Sequence, residues 1–464
     1  MRTFALSIVW LSIATMAVAQ QGPQGPLTLT GAVELALKNH PAVRAARAGS
    51  AAASGEIAVA RTAYLPRLDL LWQANRATRN NVFGSLLPQS VVPPVSGPVL
   101  ATETLDGVWN SAGGLLFAWE AIDFGRRRAG VDLARAESTI ADAERRVTEL
   151  DVASAAADAY LGVLAADATL NAARANLQRL SVFTDSVRTL VQNQLRAGVE
   201  QSRAEAELAT ARNRVVEAER NAALARVALA EAVGTPGARV DVSAGALEQL
   251  PPPPPLVAFD PSSHPRAIAA DAHIDAARAR DRVLDASYVP RIEVQSAVSG
   301  RGVSRQIDGT ANGNALGLQT TNWAVGVSLT FPSLDIFRTQ ARRHVEADRL
   351  QEASARYDRT LQALQSQDVR ARAVTAAAFQ IAGNTPQQLQ AARDTDAQAR
   401  ARYDAGLTTV VEVAEAQRLL AEAEAESAVA NLAVWRSLLA EAIVKGDVQS
   451  FLNQIRSSQL PGAQ

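Results

Sequence analysis

The chain has 464 residues, of which 48% are hydrophobic and 20% charged, and 46 Lys and Arg side chains nearly balance 47 Asp and Glu side chains. The formal net charge of −1 provides no basic surface for nucleic acid, so nucleic acid is excluded as a partner. The lack of Cys excludes thiol catalysis, disulfide scaffolds and Cys-ligated zinc.

Residues 1–19 have the pattern of a secretion signal peptide. Met1-Arg2 is a short basic start, Phe4 to Val18 is apolar, and Ala17-Val18-Ala19 is a small-residue cleavage site. The alternative is a membrane anchor, but about 15 apolar residues are short for the ~20 that a spanning helix needs. No later stretch of the sequence is apolar over about 18 consecutive residues, so no transmembrane helix is predicted after the signal.

The rest of the chain contains two copies of one plan. His40-Pro41 and the segment Tyr64-Leu65-Pro66-Arg67 recur, at the same spacing, as His264-Pro265 and Tyr288-Val289-Pro290-Arg291. Such self-similarity indicates a tandem duplication. The predicted repeats are residues 20–250 and 264–450, with a Pro-rich connector at 251–263 and a C-terminal tail at 451–464.

Each repeat is predicted to contain a helix, two strands joined by a long loop, and a very long helical hairpin. Between Arg126 and Val233 there is no Pro, three Gly and abundant Ala, so helix propensity is high throughout. A single helix from Arg126 to Arg196 would be about 105 Å long. Helices of that length usually pack as coiled coils. The second repeat follows the same pattern from about Arg338.

Four short segments alternate between apolar and polar residues, as strands with one apolar face do. They are residues 68–75, 108–119, 292–298 and 322–331, and long polar loops at 79–107 and 300–321 connect them in pairs. The aromatic residues expected at a membrane interface are Trp72, Trp109, Trp119, Trp323 and Phe331. The alternative is an ordinary half-buried sheet that packs on a soluble core.

Membrane strands from one chain could not close into a barrel. An open strand edge in hydrocarbon leaves N–H and C=O groups unsatisfied, and the smallest ordinary barrels have about eight strands. Two copies would supply about eight strands with a filled interior, and three would supply about twelve with room for a pore. These physical limits predict an oligomer and leave its subunit number open.

Several segments, spread over both repeats, carry a family resemblance. They are LTLTGAVELALKNHPAV (27–43), ARTAYLPRLDL (60–70), FAWEAIDFGRRRA (117–129), RAGVEQSRAEAE (196–207) and YDAGLTTVVEVAEAQ (403–417). In their order and spacing they resemble the TolC-like outer-membrane efflux channels. The resemblance implies a mainly α fold with an internal repeat, in which long hairpins form an α-barrel and four strands per protomer join a twelve-stranded trimeric β-barrel.

The resemblance also implies a place in the cell and a set of partners. A homotrimer would sit in outer-membrane lipid and extend through the periplasm. It would act as the passive exit duct of a tripartite efflux pump or type I secretion system, opened at its periplasmic tip. Its partners would be a periplasmic adaptor (a membrane fusion protein) and an inner-membrane transporter. Drug, polysaccharide, peptide and organic-cation export all remain open, because selectivity is expected to reside in the pump.

Candidate pore residues follow from the same resemblance. Glu412 and Glu415 match an acidic pair that forms the entrance constriction, and their spacing of three places both on one helix face. In three copies, a carboxylate ring of this kind would favour cations. The alternative is that both side chains lie on an ordinary solvated helix face.

A latch for the closed tip is a further hypothesis. In similar channels Tyr and an Arg just after the tip Gly contact the neighbouring inner helix. Here Tyr403 is present, Thr408 occupies the Arg position, and Arg203 lies where a small polar residue is expected. We expect Arg203 to restrain the tip through Tyr403 or Glu412; the alternative is that no such latch exists.

Two turns are predicted to dock adaptor hairpins. They consist of Arg196, Ala197, Gly198 and Val199 in the first repeat, and Asp404, Ala405, Gly406 and Leu407 in the second. Each Gly would allow the positive φ that a tight helix reversal needs. The alternative is a pair of simple turns without a docking role.

Enzyme classes find little support. The four His residues lack metal-ligand spacing, and no phosphate-binding loop or nucleophile-elbow motif occurs, so neither catalysis nor a cofactor is expected. The competing class is an exported periplasmic coiled-coil structural protein without a pore.

Overall fold

The computed structural model describes residues 26–78, 105–254, 258–304, 316–331 and 335–458. The predicted signal peptide and most of the first predicted loop lie outside these ranges. The elements of the first repeat are α1 (Leu29–Asn39), α2 (Pro41–Thr62), β1 (Arg67–Thr78), β2 (Gly107–Ile122), α3 (Arg126–Gln192) and α4 (Gly198–Ala232). The rest are α5 (Pro265–Asp285), β3 (Arg291–Val303), β4 (Thr320–Thr330), α6 (Ile336–Asp404), α7 (Val410–Val444) and α8 (Val448–Ser458).

The predicted mainly helical fold with four strands is confirmed. The Pro-free, Ala-rich segment forms the 67-residue helix α3, and its counterpart in the second repeat forms the 69-residue helix α6. The strands run further than predicted, because β3 continues to Val303 and β4 already begins at Thr320. Ser299 and Gly300 interrupt the apolar alternation in β3, as Thr320 and Thr321 do in β4, without ending the backbone pairing.

The four strands form one antiparallel sheet in the order β1-β2-β3-β4. The register places Leu70 opposite Leu115, Leu115 opposite Val298, and Val298 opposite Trp323. Directly opposed residues point to the same face of an antiparallel sheet. This register therefore sorts the side chains of all four strands into two common faces.

The chain divides into two compact units that differ from the two sequence repeats. One unit contains the residues up to Ala45, Thr148–His264, and the chain from Leu364 onwards; the other contains Ala46–Val147 and Pro265–Ala363. Each unit therefore combines segments of both repeats. Helices α3 and α6 each contribute one part to either unit.

The largest buried cluster belongs to the first unit and joins α1, α3, α4, α7 and α8. The phenol of Tyr160 is fully buried in it, and its one O–H hydrogen is shared between the carbonyl oxygens of Leu27 (2.8 Å) and Ser243 (2.5 Å). Leu27 also forms a parallel bridge with Val242. Tyr160 thus ties both segments of this bridge to α3. Burial raises the pKa of Tyr160 to about 12, because the phenolate would lose its hydration.

The C-terminal tail predicted at residues 451–464 begins inside a helix. Helix α8 buries Phe451, Leu452 and Ile455 in the same cluster, and the ring of Phe451 meets Trp435 edge to face at 6.1 Å. The spacing of these apolar residues follows one face of a helix. The chain end through Ser458 is therefore part of the core.

Helix α7 is the single helix of the described ranges that is long and apolar enough, by length and composition, to cross a membrane. Of its most apolar window, 56% is buried inside the structure. Val434, Trp435 and Leu438 contribute to the buried cluster. This burial is what a core helix shows.

We predict that Tyr160→Phe lowers the free energy of unfolding by about 1–3 kcal/mol, because the hydrogen bonding of the fully buried phenol to the Leu27 and Ser243 carbonyls is lost. Urea unfolding of the purified protein measures the change. Tyr357→Phe is the matched control, since the Tyr357 hydroxyl has no hydrogen-bond partner among the described residues.

The same variant gives a test of the pKa. A folded-state pKa above the ordinary value of 10 means that the stabilisation by Tyr160 is fully present below pH 10 and is lost as the pH rises towards 12. The difference between wild type and Tyr160→Phe should therefore shrink over this range. A difference that stays constant to pH 12 would contradict the role of the buried phenol.

Candidate functional site

One face of the sheet is apolar on all four strands, and most of its side chains are exposed, whereas Phe117, Ile292 and Val294 are half-buried. It carries Leu68, Leu70 and Trp72 on β1, Leu115, Phe117 and Trp119 on β2, Ile292, Val294 and Val298 on β3, and Trp323, Val325, Val327 and Leu329 on β4. The exposed fraction reaches 79% for Leu70 and 77% for Trp323. Ala324, Gly326 and Ser328, which point to the opposite face, are less exposed. The pattern is inverted relative to a sheet that covers a soluble core.

The aromatic residues predicted for a membrane interface lie on this sheet or at its border. Trp72, Trp109, Trp119 and Trp323 are in the strands, and Phe331 directly follows β4; all five are exposed. The indole N–H of Trp119 donates to the Tyr64 carbonyl at 3.1 Å. Trp109 and Trp119 lie near opposite ends of β2. They point to the same face, because they are an even number of positions apart.

In the first unit, the ends of the two long hairpins meet around Tyr403. Its ring is 2% exposed and packs edge to face on Phe183 at 5.6 Å. The hydroxyl of Tyr403 donates to a carboxylate oxygen of Glu200 at 2.7 Å. Burial, followed by the hydrogen bond and charge of Glu200, raises the pKa of Tyr403 to about 12. Glu200 of the first repeat and Tyr403 of the second repeat are thus joined by one hydrogen bond.

Arg196 supplies the cation of this contact. Its guanidinium lies 4.4 Å from the centre of the Tyr403 ring and also donates to the Tyr403 carbonyl. A cation over an aromatic face and a charged donor on a helix-terminal carbonyl are both favourable. The turn that contains Arg196 is therefore held against the end of α6.

The residue of the first turn that is equivalent to Gly406 in the second turn is not the predicted Gly198. Gly406 has a φ of 74°, as expected, but Gly198 starts α4 and has no positive φ. The left-handed residue of the first turn is Gln194, with a φ of 59°. The expectation for Gly198 is wrong because the chain reverses at the end of α3, four residues earlier. Gln194 thus matches Gly406.

This correspondence aligns Arg196 of the first turn with Thr408 of the second. Thr408 itself is buried, and its hydroxyl has no hydrogen-bond partner among the described residues. Arg203 is exposed and pairs with no carboxylate of the described chain. Within one copy, Tyr403 therefore contacts Glu200 and Arg196. A role for Arg203 in a latch would need a second copy and stays a prediction.

The predicted constriction pair is exposed on α7. Glu412 lies 3.7 Å from Arg402, and Glu415 lies 2.6 Å from Arg418. Sequence reasoning missed both arginines, although spacings of three or four residues on a helix are a usable signal for the pairs of Arg418. It also missed Glu200, and it named Arg196 for the docking turn without its contact with Tyr403, because Tyr403 is distant in sequence and leaves no local signal.

The described residues contain no group of three or more His, Asp or Glu side chains that could hold a metal ion. A family profile described as outer membrane efflux protein matches residues 32–235 and 262–440, well over half of the chain. The chain belongs to the outer membrane efflux protein family. Efflux channels of the outer membrane are thus its relatives, whereas curated proteins include no significant match.

Solved structures of outer-membrane channels have the same fold as this family member. The channel OprN is 22% identical, with a TM-score of 0.72, and the match covers 90% of this chain and 89% of OprN. VceC of Vibrio cholerae is 20% identical, with a TM-score of 0.71 and coverages of 90% and 96%. The open state of MtrE of Neisseria gonorrhoeae is 21% identical, with a TM-score of 0.72 and coverages of 90% and 89%.

We predict that Tyr403→Phe raises the open fraction of channels in planar bilayers. Loss of a hydrogen bond to a charged acceptor costs about 1.5–3 kcal/mol, which corresponds to about a tenfold or larger change in a closed-to-open equilibrium. Glu200→Gln is the matched control, because its amide oxygen still accepts the bond and should keep most of the closed population. An open fraction for Tyr403→Phe equal to wild type would contradict the role of this contact.

Arg203→Ala, measured in the same bilayers, tests the separate latch hypothesis. If Arg203 restrains the closed tip across copies, its removal changes single-channel conductance. An unchanged conductance would rule Arg203 out as a latch and leave the contact of Tyr403 with Glu200 unaffected.

Proposed function

We propose that the chain is the subunit of a trimeric outer-membrane channel, the passive exit duct of a tripartite efflux pump or type I secretion system. The observation that carries the proposal is the apolar, exposed sheet face in a member of the outer membrane efflux protein family. The substrate class stays open.

The dimensions of the sheet support lipid as the environment of this face. Ten residues separate Trp109 from Trp119 along β2, which corresponds to about 33 Å of strand. A strand tilt of roughly 40° reduces this to about 25 Å, the height of the apolar band of an outer-membrane barrel. The two Trp residues are thereby suited to opposite interfaces of one bilayer.

The sheet edges support an oligomer. Among the described strands, β1 and β4 are the outer strands and have a partner on one side each. In lipid their free backbone groups need partners, which β1 of one copy and β4 of the next would supply to each other. We take the number of copies as three, because about twelve strands leave a pore whereas about eight fill their interior.

The hairpin ends support a gated entrance. The contact of Tyr403 with Glu200 and Arg196 joins the turns of the two repeats, so it favours a closed arrangement of the inner helices. Opening would separate these groups and leave Glu412 and Glu415 around a wider passage. A periplasmic adaptor, bound to the inner-membrane transporter, would dock on the exposed turns.

We predict that Val325→Arg, on the apolar face, prevents stable insertion, because Arg on a lipid-facing strand costs about 2–4 kcal/mol near the bilayer midplane. Ser328→Arg, on the opposite face, is the control and should stay in the membrane. Carbonate washing of membranes and immunoblotting measure the retained fraction. Release of the wild-type protein by carbonate would contradict the barrel and favour the periplasmic coiled-coil protein without a pore.

We predict that adaptor docking can be detected by crosslinking from the tip. The native sequence contains no Cys, so Val199→Cys and Leu407→Cys each give a single label site, and their parent side chains are 72% and 71% exposed. In-cell crosslinking from either position should capture an adaptor. Val227→Cys on α4, 64% exposed in the parent, is the control. Equal capture from all three positions would contradict docking at the turns.

A further inference from the structure

An exposed face of α7 carries acidic residues at helical spacing. Glu412, Glu415 and Glu422 lie on it with side chains 54%, 66% and 50% exposed. Steps of three and seven residues return to nearly the same side of an α-helix. If Glu412 and Glu415 surround the entrance, Glu422 faces the same passage.

One guanidinium links two of these carboxylates. Arg418 donates through Nη2 to Glu415 at 2.6 Å and through Nε to the other Glu415 oxygen at 3.1 Å. Its Nη1 donates to Glu422 at 2.6 Å. Three N–H groups of the guanidinium are used, two on one carboxylate and one on the next. The pairing with Arg418 also holds the pKa of Glu415 below its usual value.

The third carboxylate has a weaker counter-cation. Glu412 lies 3.7 Å from Arg402 at the end of α6, and both side chains are more than half exposed. Three carboxylates and two guanidinium groups therefore leave one net negative charge on this face in each copy. Without the charge of Arg418, the same three carboxylates and the one remaining guanidinium would leave two net negative charges in each copy.

We propose that Arg418 limits the cation selectivity of the channel. Its positive charge partly neutralises the acidic ring at the entrance, so the channel discriminates only weakly between cations and anions. The inference rests on the proposed channel function and on three copies around one passage. The field of a charged ring acts on ions over about a Debye length, which is ~10 Å at 0.1 M salt. Arg418 therefore affects every ion that crosses the constriction.

The test is the reversal potential of purified protein in planar bilayers under a KCl gradient at low ionic strength. We expect Arg418→Gln to raise the permeability ratio of K⁺ to Cl⁻ several-fold, and Arg418→Lys to keep it near the wild-type value. The double variant Arg418→Gln with Glu415→Gln removes one charge of each sign and should also return near wild type. In 1 M salt the differences should largely disappear.

Arg356→Gln is the matched control. Arg356 forms an ion pair with Glu352, which lies four residues earlier on α6, and both side chains are exposed. The variant Arg356→Gln should leave the permeability ratio of K⁺ to Cl⁻ unchanged. Equal ratios for wild type and Arg418→Gln, with open channels in both, would overturn the role of Arg418 and leave the channel function standing. The lack of any conductance from the wild-type protein would overturn both.

Discussion

Backbone hydrogen bonding at the two outer strands of the sheet is the constraint on which the rest of the structure depends. Among the described strands, β1 and β4 each have one neighbour, and one face of the sheet is apolar and exposed. Water could form hydrogen bonds with the free backbone groups of the edge strands, but exposure of the apolar face to water is unfavourable. In lipid the apolar face is stable, but the free backbone groups have no hydrogen-bond partners. Only joining several copies in lipid meets both demands, so membrane insertion and oligomer assembly become a single requirement in the proposed channel.

Helices α3 and α6 connect the two compact units in sequence. Each compact unit takes segments from both repeats, and α3 and α6 each contribute to both units. The abundant Ala of these helices permits close helix packing, and in the first unit the packing ends at Tyr403, where a residue of one repeat meets two of the other.

Sequence reasoning predicted the regular elements well and the contacts between them poorly, for physical reasons. Trp323, Val325 and Val327 alternate with small or polar residues, and α3 lacks Pro, so local patterns were sufficient for the strands and helices. The contact of Tyr403 with Glu200 and Arg196 joins segments about two hundred residues apart and has no local signal. The turn of the first repeat was placed at Gly198 because Gly is the usual left-handed residue, whereas Gln194 adopts that conformation. The charge pattern around Arg418 was readable from helical spacing and was overlooked beside the acidic pair.

The exposed apolar sheet face also determines how such a chain can mature. A chain exported as its N-terminal pattern predicts must travel through water before it meets lipid. A lone folded subunit would present to that water a contiguous apolar patch, of the kind that makes proteins aggregate. In the proposed channel, the strands would stay unpaired or shielded by a chaperone until other copies are present. Folding of the sheet would then depend on protein concentration, and the relevant stability would be that of the assembled oligomer.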